Sequence, residues 1–126
     1  MLAFAKCSTL LSFALLCSCK PTVSDGKLVG IWECDPGVHG DKRKIVFSAD
    51  HTFTAYSPEL NSYSYVESSG TWRIDGDELV TDAKTQLGEP VTGRGSRHKI
   101  CDLSESAYTG KEPGSEEVLF TCKRIH

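Results

Sequence analysis

Asp75-Gly76-Asp77 sits between two short runs in which apolar and polar residues alternate, Gly70-Thr71-Trp72-Arg73-Ile74 before it and Glu78-Leu79-Val80-Thr81 after it. No other stretch constrains the fold as much. An Asp-Gly step between alternating runs predicts a β-hairpin, because a tight turn needs positive φ, which glycine adopts without steric cost and aspartate tolerates. The pattern recurs along the chain. Lys44-Ile45-Val46-Phe47-Ser48 and Thr52-Phe53-Thr54-Ala55-Tyr56 flank Ala49-Asp50-His51, with His51 where a glycine would turn more easily. Leu28 to Cys34 predicts a first strand with Leu28, Gly30, Trp32 and Cys34 on one face. Part of a strand is expected around Tyr63 to Val66. Gln86 to Ser96, with Gly88, Pro90, Gly93 and Gly95, reads as a long loop, and two last strands, roughly Arg97 to Leu103 and Glu117 to Ile125, close the chain around a loop holding Gly110, Pro113 and Gly114. Apolar 3.6-residue periodicity never persists for three turns after Cys19, so no long helix is expected. The fold class is all-β, a small antiparallel meander of about 7-8 strands, as a closed barrel or a sandwich.

The N-terminus obeys a different pattern. Lys6 precedes an apolar run from Leu10 to Leu16, and no acidic residue occurs before Asp25. The run falls far short of the ~20 residues needed to span a bilayer, so residues 1-18 read as a cleaved signal peptide. Leu16-Cys17-Ser18-Cys19 resembles the lipobox of bacterial lipoproteins: a leucine, two small residues, then the cysteine that receives lipid. The resemblance implies lipidation of Cys19 and a membrane anchor on the bacterial cell envelope. Lys20 after that cysteine resembles the pattern that releases lipoproteins to the outer membrane, which implies a periplasmic-facing location in a Gram-negative envelope. Residues 19-27 (CKPTVSDGK) read as a lipidated tether of about 30 Å at full extension, and residues 28-126 as the barrel domain.

A chain of 126 residues has room for one core. Its 14 basic and 17 acidic residues give a net charge of −3, and removal of residues 1-18 takes only Lys6. That balance excludes the basic excess of a nucleic-acid binder. Export places the chain where disulfides persist. Of six cysteines, Cys7 and Cys17 leave with the signal and lipid would consume Cys19, so Cys34, Cys101 and Cys122 remain. One pair and one free thiol is the expected outcome.

Gly30-Ile31-Trp32 resembles the opening Gly-x-Trp of lipocalins and related small lipocalin-like (calycin-type) barrels. In that superfamily the tryptophan plugs one end and is covered by an arginine of the last strand, a position that Arg124 in Thr121-Cys122-Lys123-Arg124 matches. A guanidinium over an indole is worth about 0.5 to 2 kcal/mol. The resemblance implies a barrel-closing motif of Gly30, Trp32 and Arg124. An interior ringed by about eight strands has room for its own side chains or one small ligand. If the first and last strands adjoin, Cys34 and Cys122 lie on the two strands that seal the barrel, and a bond between them is favoured over Cys101 to Cys122 across the final hairpin. Closing a loop of nearly ninety residues would contribute ~4 to 5 kcal/mol on the chain-entropy account.

Catalytic chemistry has no visible carrier. Ser96 lacks the G-x-S-x-G setting, and His39, His51, His98 and His126 show no ligand spacing, so they read as solvated loop or strand-end residues. Zinc spacing is absent, and Asp75, Asp77, Glu78 and Asp82 do not match an EF-hand loop. No cofactor, metal or catalytic residue is expected. Tyr56, Tyr63 and Tyr65, interleaved with serines, have the composition of a recognition surface, although alternation equally puts half of them in the core. Arg94, Arg97, His98 and Lys99 form a short basic stretch, diluted by Glu89 and Asp102. The expected function is a non-enzymatic, lipid-anchored binding or interaction module, its partners the membrane and a small apolar ligand or a protein. The alternative is a protein inhibitor of a host hydrolase such as lysozyme, since Ser68-Ser69-Gly70 loosely resembles the inhibitory loop of such lipoproteins.

Overall fold

Eight antiparallel strands follow one another around a ring, each paired with the next and the last with the first, in a computed structural model that describes residues 23–59 and 62–125. They are β1 (Gly30–Asp35), β2 (Arg43–Phe47), β3 (Thr52–Glu59), β4 (Ser62–Asp75), β5 (Glu78–Gln86), β6 (Glu89–Cys101), β7 (Ala107–Lys111) and β8 (Val118–Arg124). The sheet is a closed barrel rather than a sandwich, so every strand has two neighbours, although β6 meets β7 only at Lys99, Ile100 and Cys101. Short connections make this meander possible. Gly76 takes φ 68° in the Asp75–Glu78 turn, and His51 adopts the same φ 68° in the turn before β3. The latter is unusual for a residue with a Cβ, and His51 is held by its backbone N–H donating to Ser48 O.

Three connections differ from expectation. The long loop expected over Gln86 to Ser96 is instead the end of β5, a two-residue turn and most of β6. Leu87 (φ 52°) and Gly88 (φ 82°) both take the positive φ that such a turn demands. The glycines that suggested a loop serve the strand: Gly93 (φ 69°) accompanies the register shift between Ala83 and Thr85, and a Cβ on Gly95 would stand 3.1 Å from Thr81 O. Likewise Ser57 to Ser69 is strand at both ends, β3 running on to Glu59 and β4 starting at Ser62. Finally, β7 intervenes between the two strands expected to form the last hairpin. Cys101 therefore lies opposite Thr109, and Cys122 opposite Cys34 on one side and Tyr108 on the other.

That register decides the disulfide. Cys34 and Cys122 are directly opposed across the β1–β8 seam and are bonded, 88 residues apart in sequence. The Cys101–Cys122 alternative fails because a whole strand separates the two. Cys101 is not the leftover thiol either: it too is disulfide-bonded.

The packed chain begins before the first strand. Val23 is buried and donates its N–H to Gly76 O. Asp25–Leu28 form a single helical turn, α1, rather than part of a tether and strand. Leu28 is fully buried and its carbonyl accepts a hydrogen bond from Trp32 Nε1 at 2.9 Å. These residues plug the end of the barrel where β1 starts and β8 finishes. Trp32, Phe47, Trp72, Leu79, Ile100 and Tyr108 form the core behind them, each inward on the period-2 alternation of its strand.

Candidate functional site

The plugged end is built around Trp32, which is fully buried. Arg124, opposite it in the β1–β8 register, places its guanidinium carbon 4.3 Å from the indole ring centre. The same guanidinium donates to Val29 O (2.9 Å), Lys27 O (2.8 Å) and Glu105 O (2.6 Å). Gly30, at φ 146°, leaves the room it needs, since a Cβ there would overlap Arg124 Nη1. Gly30, Trp32 and Arg124 are thus brought together as one closure. Trp72 has a parallel arrangement nearby, stacked on the His51 ring at 4.5 Å, with its Nε1 donating to Ser48 O. His51 stands in the turn with 44% of its side chain exposed, and its Nε2 lies 3.0 Å from Asp25 Oδ2, tying α1 to that turn.

From that plug the interior widens toward the opposite end into a cavity of about 460 Å³, within the range of small-molecule sites. Phe47, Phe53, Leu79, Tyr108 and His98 form its deeper part; Ile45, Ala55, Ala83 and Phe120 line its walls; Ser68, Gln86 and Arg94 stand toward its mouth. Position along each strand follows from the meander, because β5 starts at the plugged end with Leu79 and leaves it at Gln86. Thr81 and Ser96, opposite one another on β5 and β6, share a hydroxyl–hydroxyl hydrogen bond of 2.6 Å.

His98 is the odd member. Only 9% of it is exposed, and its Nε2 has no hydrogen-bond partner. The ring meets Phe120 edge to face at 4.7 Å. Burial in this setting lowers its pKa to about 4, so the imidazole is neutral at physiological pH. Tyr108, fully enclosed on the neighbouring strand, is pushed the other way by the same loss of water, its hydroxyl staying protonated.

Basic residues 94 to 99 do not form a patch. Arg94, Arg97 and His98 all border the cavity, but Arg97 donates to Glu78 Oε1 (2.6 Å) and Asp75 Oδ2 (3.2 Å). Two of the four acidic residues suspected as a cation cluster are engaged by that arginine, and Asp82 by Lys84 at 2.8 Å. Of the tyrosines, Tyr56 is half-buried beneath Lys44 Nζ, 4.4 Å from its ring centre, and Tyr65 is 43% exposed. Neither enters the core. The Tyr63 side chain and Cys19 lie outside the description. Ser68-Ser69-Gly70 is not a loop but an interior stretch of β4, paired with both neighbouring strands.

Sequence reasoning thus located the plug and missed the cavity lining of β6. The signal was present, since Ser96, His98 and Ile100 alternate in step, but the glycines and Pro90 obscured the strand that carries them. No family model, curated protein or solved structure matches the chain.

Proposed function

We propose that this chain is a non-enzymatic envelope protein, anchored through lipid on Cys19, whose barrel binds a small apolar ligand. The observation that carries the binding half is the cavity: an apolar space of about 460 Å³ in which a buried polar atom, His98 Nε2, is left unsatisfied. Folded proteins rarely leave such an atom without a partner. A core that had evolved only to be packed would fill this space, since voids large enough for a ligand weaken a fold. The lipobox-like Leu16-Cys17-Ser18-Cys19 supports the anchoring half, and the resemblance of Gly30, Trp32 and Arg124 to lipocalin-like closure supports a barrel plugged at one end and open at the other.

Native mass spectrometry of the protein isolated from its own cells tests the binding half, with an apolar fluorophore titration as the second readout. A retained small molecule and saturable fluorophore binding, both abolished by Ala83→Trp in a protein that still unfolds cooperatively, are expected. Fluorophore binding that survives a blocked cavity would place the ligand site elsewhere.

A further inference from the structure

We propose that the cavity ligand is an amphipathic hydroxy acid, with its carboxylate on Arg94 at the mouth, its apolar body along the wall and its hydroxyl on His98 Nε2 within. The assignment rests on reading the cavity as the binding site and goes on to specify the ligand chemistry.

The deep end asks for a hydroxyl. Nε2 of a neutral imidazole is either an N–H donor or a bare acceptor, according to tautomer, and a hydroxyl can satisfy both. Phe47, Leu79 and Phe120 around it offer it nothing polar, and the Tyr108 hydroxyl lies against Cys34 Sγ at 4.0 Å. An ammonium or a second carboxylate would have to shed its water at this depth with no opposite charge to meet it. Between the two ends, Thr81 and Ser96 share a hydrogen bond, and Ala83, Ile45 and Phe120 give the body of the molecule an apolar wall.

The mouth asks for an anion. Arg94 donates to the neutral amide of Gln86 at 3.0 Å, and among the described residues it forms no ion pair. Arg43, at the same end of the barrel on β2, is by contrast held by both carboxylate oxygens of Glu67. Arg97 is held by Asp75 and Glu78. Arg94 is therefore the arginine there whose fork remains open to a carboxylate, a planar acceptor that a guanidinium grips in two-point fashion.

Distance sets the length. Arg94 and His98 are four residues apart on one face of β6, about 13 Å at ~3.3 Å per residue. A medium-chain ω-hydroxy acid spans that separation, whereas a short hydroxy acid cannot reach both groups.

Calorimetric titration of the purified protein with ω-hydroxydecanoate, decanoate and decanol, each kept monomeric, tests the assignment. Wild-type protein should bind ω-hydroxydecanoate about tenfold tighter than decanoate, the worth of one well-made buried hydrogen bond. His98→Phe should erase that preference, and Arg94→Gln should weaken both acids about tenfold while leaving decanol unchanged. If His98→Phe does not fold, the His98 ring-proton resonances of the wild type give the same answer, shifting with ω-hydroxydecanoate and not with decanoate. Equal affinity for all three probes, indifferent to both variants, would overturn the hydroxy-acid assignment and leave the cavity as a general apolar site. No binding of any probe, with the apolar fluorophore still bound, would overturn it too; loss of fluorophore binding as well would remove the cavity reading itself.

Discussion

Arg124 lies over the Trp32 indole with its guanidinium carbon 4.3 Å from the ring centre, and it spends its donors on the carbonyls of Lys27, Val29 and Glu105. One side chain thereby joins the end of β8, the segment before β1 and the loop between β6 and β7. Seam and plug are closed by the same group, which is why Gly30 has no space for a side chain.

Replacing Arg124 by alanine is expected to cost about 2 to 4 kcal/mol, from three lost charge-assisted hydrogen bonds and the cation–π contact. Lysine should recover less than half of this, because an ammonium cannot reproduce the planar fork. Gly30→Ala should destabilise by a comparable amount, about 1 to 3 kcal/mol, through overlap with Arg124 and an unfavourable φ. Urea unfolding followed by tryptophan fluorescence measures all three, and an Arg124→Ala protein as stable as wild type would dissolve the closure.

The Cys34–Cys122 bond crosses the seam between residues 88 positions apart. Its removal as the double serine variant should lower stability by ~4 to 5 kcal/mol on the chain-entropy account. The comparison is made by unfolding under oxidising conditions, where a loss below about 1 kcal/mol would show that the strands are held without it.

Cys101 links the fold to the question of anchoring. It is buried and disulfide-bonded, and a cut before Cys19 leaves Cys19 as the sole cysteine able to pair with it once Cys34 and Cys122 are joined. A sulfur cannot hold both a lipid thioether and a disulfide. The lipobox therefore predicts diacylglycerol on Cys19, read by mass spectrometry of the mature N-terminus. A Cys19–Cys101 disulfide in the protein from its own cells would exclude the anchor.

His98 should make stability depend on pH. Its folded pKa of about 4 lies below the usual histidine value of 6.5, so the unfolded chain binds the extra proton between those two values. Stability is then fully present above pH 6.5 and falls as pH drops toward 4, by as much as about 3 kcal/mol. His98→Phe should flatten this part of the profile, as read from urea midpoints at pH 4 to 8. An unchanged slope would mean that His98 is protonated in the folded state.

Gly70 lies where β4 meets β5 so closely that a Cβ would run into the backbone at Asp82 and Ala83. Gly70→Ala is expected to destabilise by about 1 to 3 kcal/mol, since the backbone must shift to admit the methyl. Circular dichroism melting of the variant checks this, and a melting temperature matching wild type would show that the two strands can part there without cost.

Much of the barrel was legible locally. The Asp75-Gly76 turn, the hairpin at His51 and the inward faces of Trp32, Cys34, Phe47 and Phe53 follow from alternation and turn chemistry, which act over a few residues. Strand β6 was hidden by the residues that let it bend, because glycine signals a loop and a bulge in the same way until the partner strand is known. The strand β7, Ala107–Lys111, was hidden because Gly110 within it and Pro113 and Gly114 after it read as a loop.

The sequence by itself determined an all-β meander, its turns and which faces point inward, because these depend on φ preferences and period-2 burial within each strand. Closure was beyond it. That Cys34 faces Cys122, that Arg124 covers Trp32, and that Arg94 and His98 look into one cavity depend on bringing together residues up to 97 positions apart. Such pairings are chosen by how eight strands share one interior, so only the tertiary structure decides which polar atoms that interior leaves without a partner.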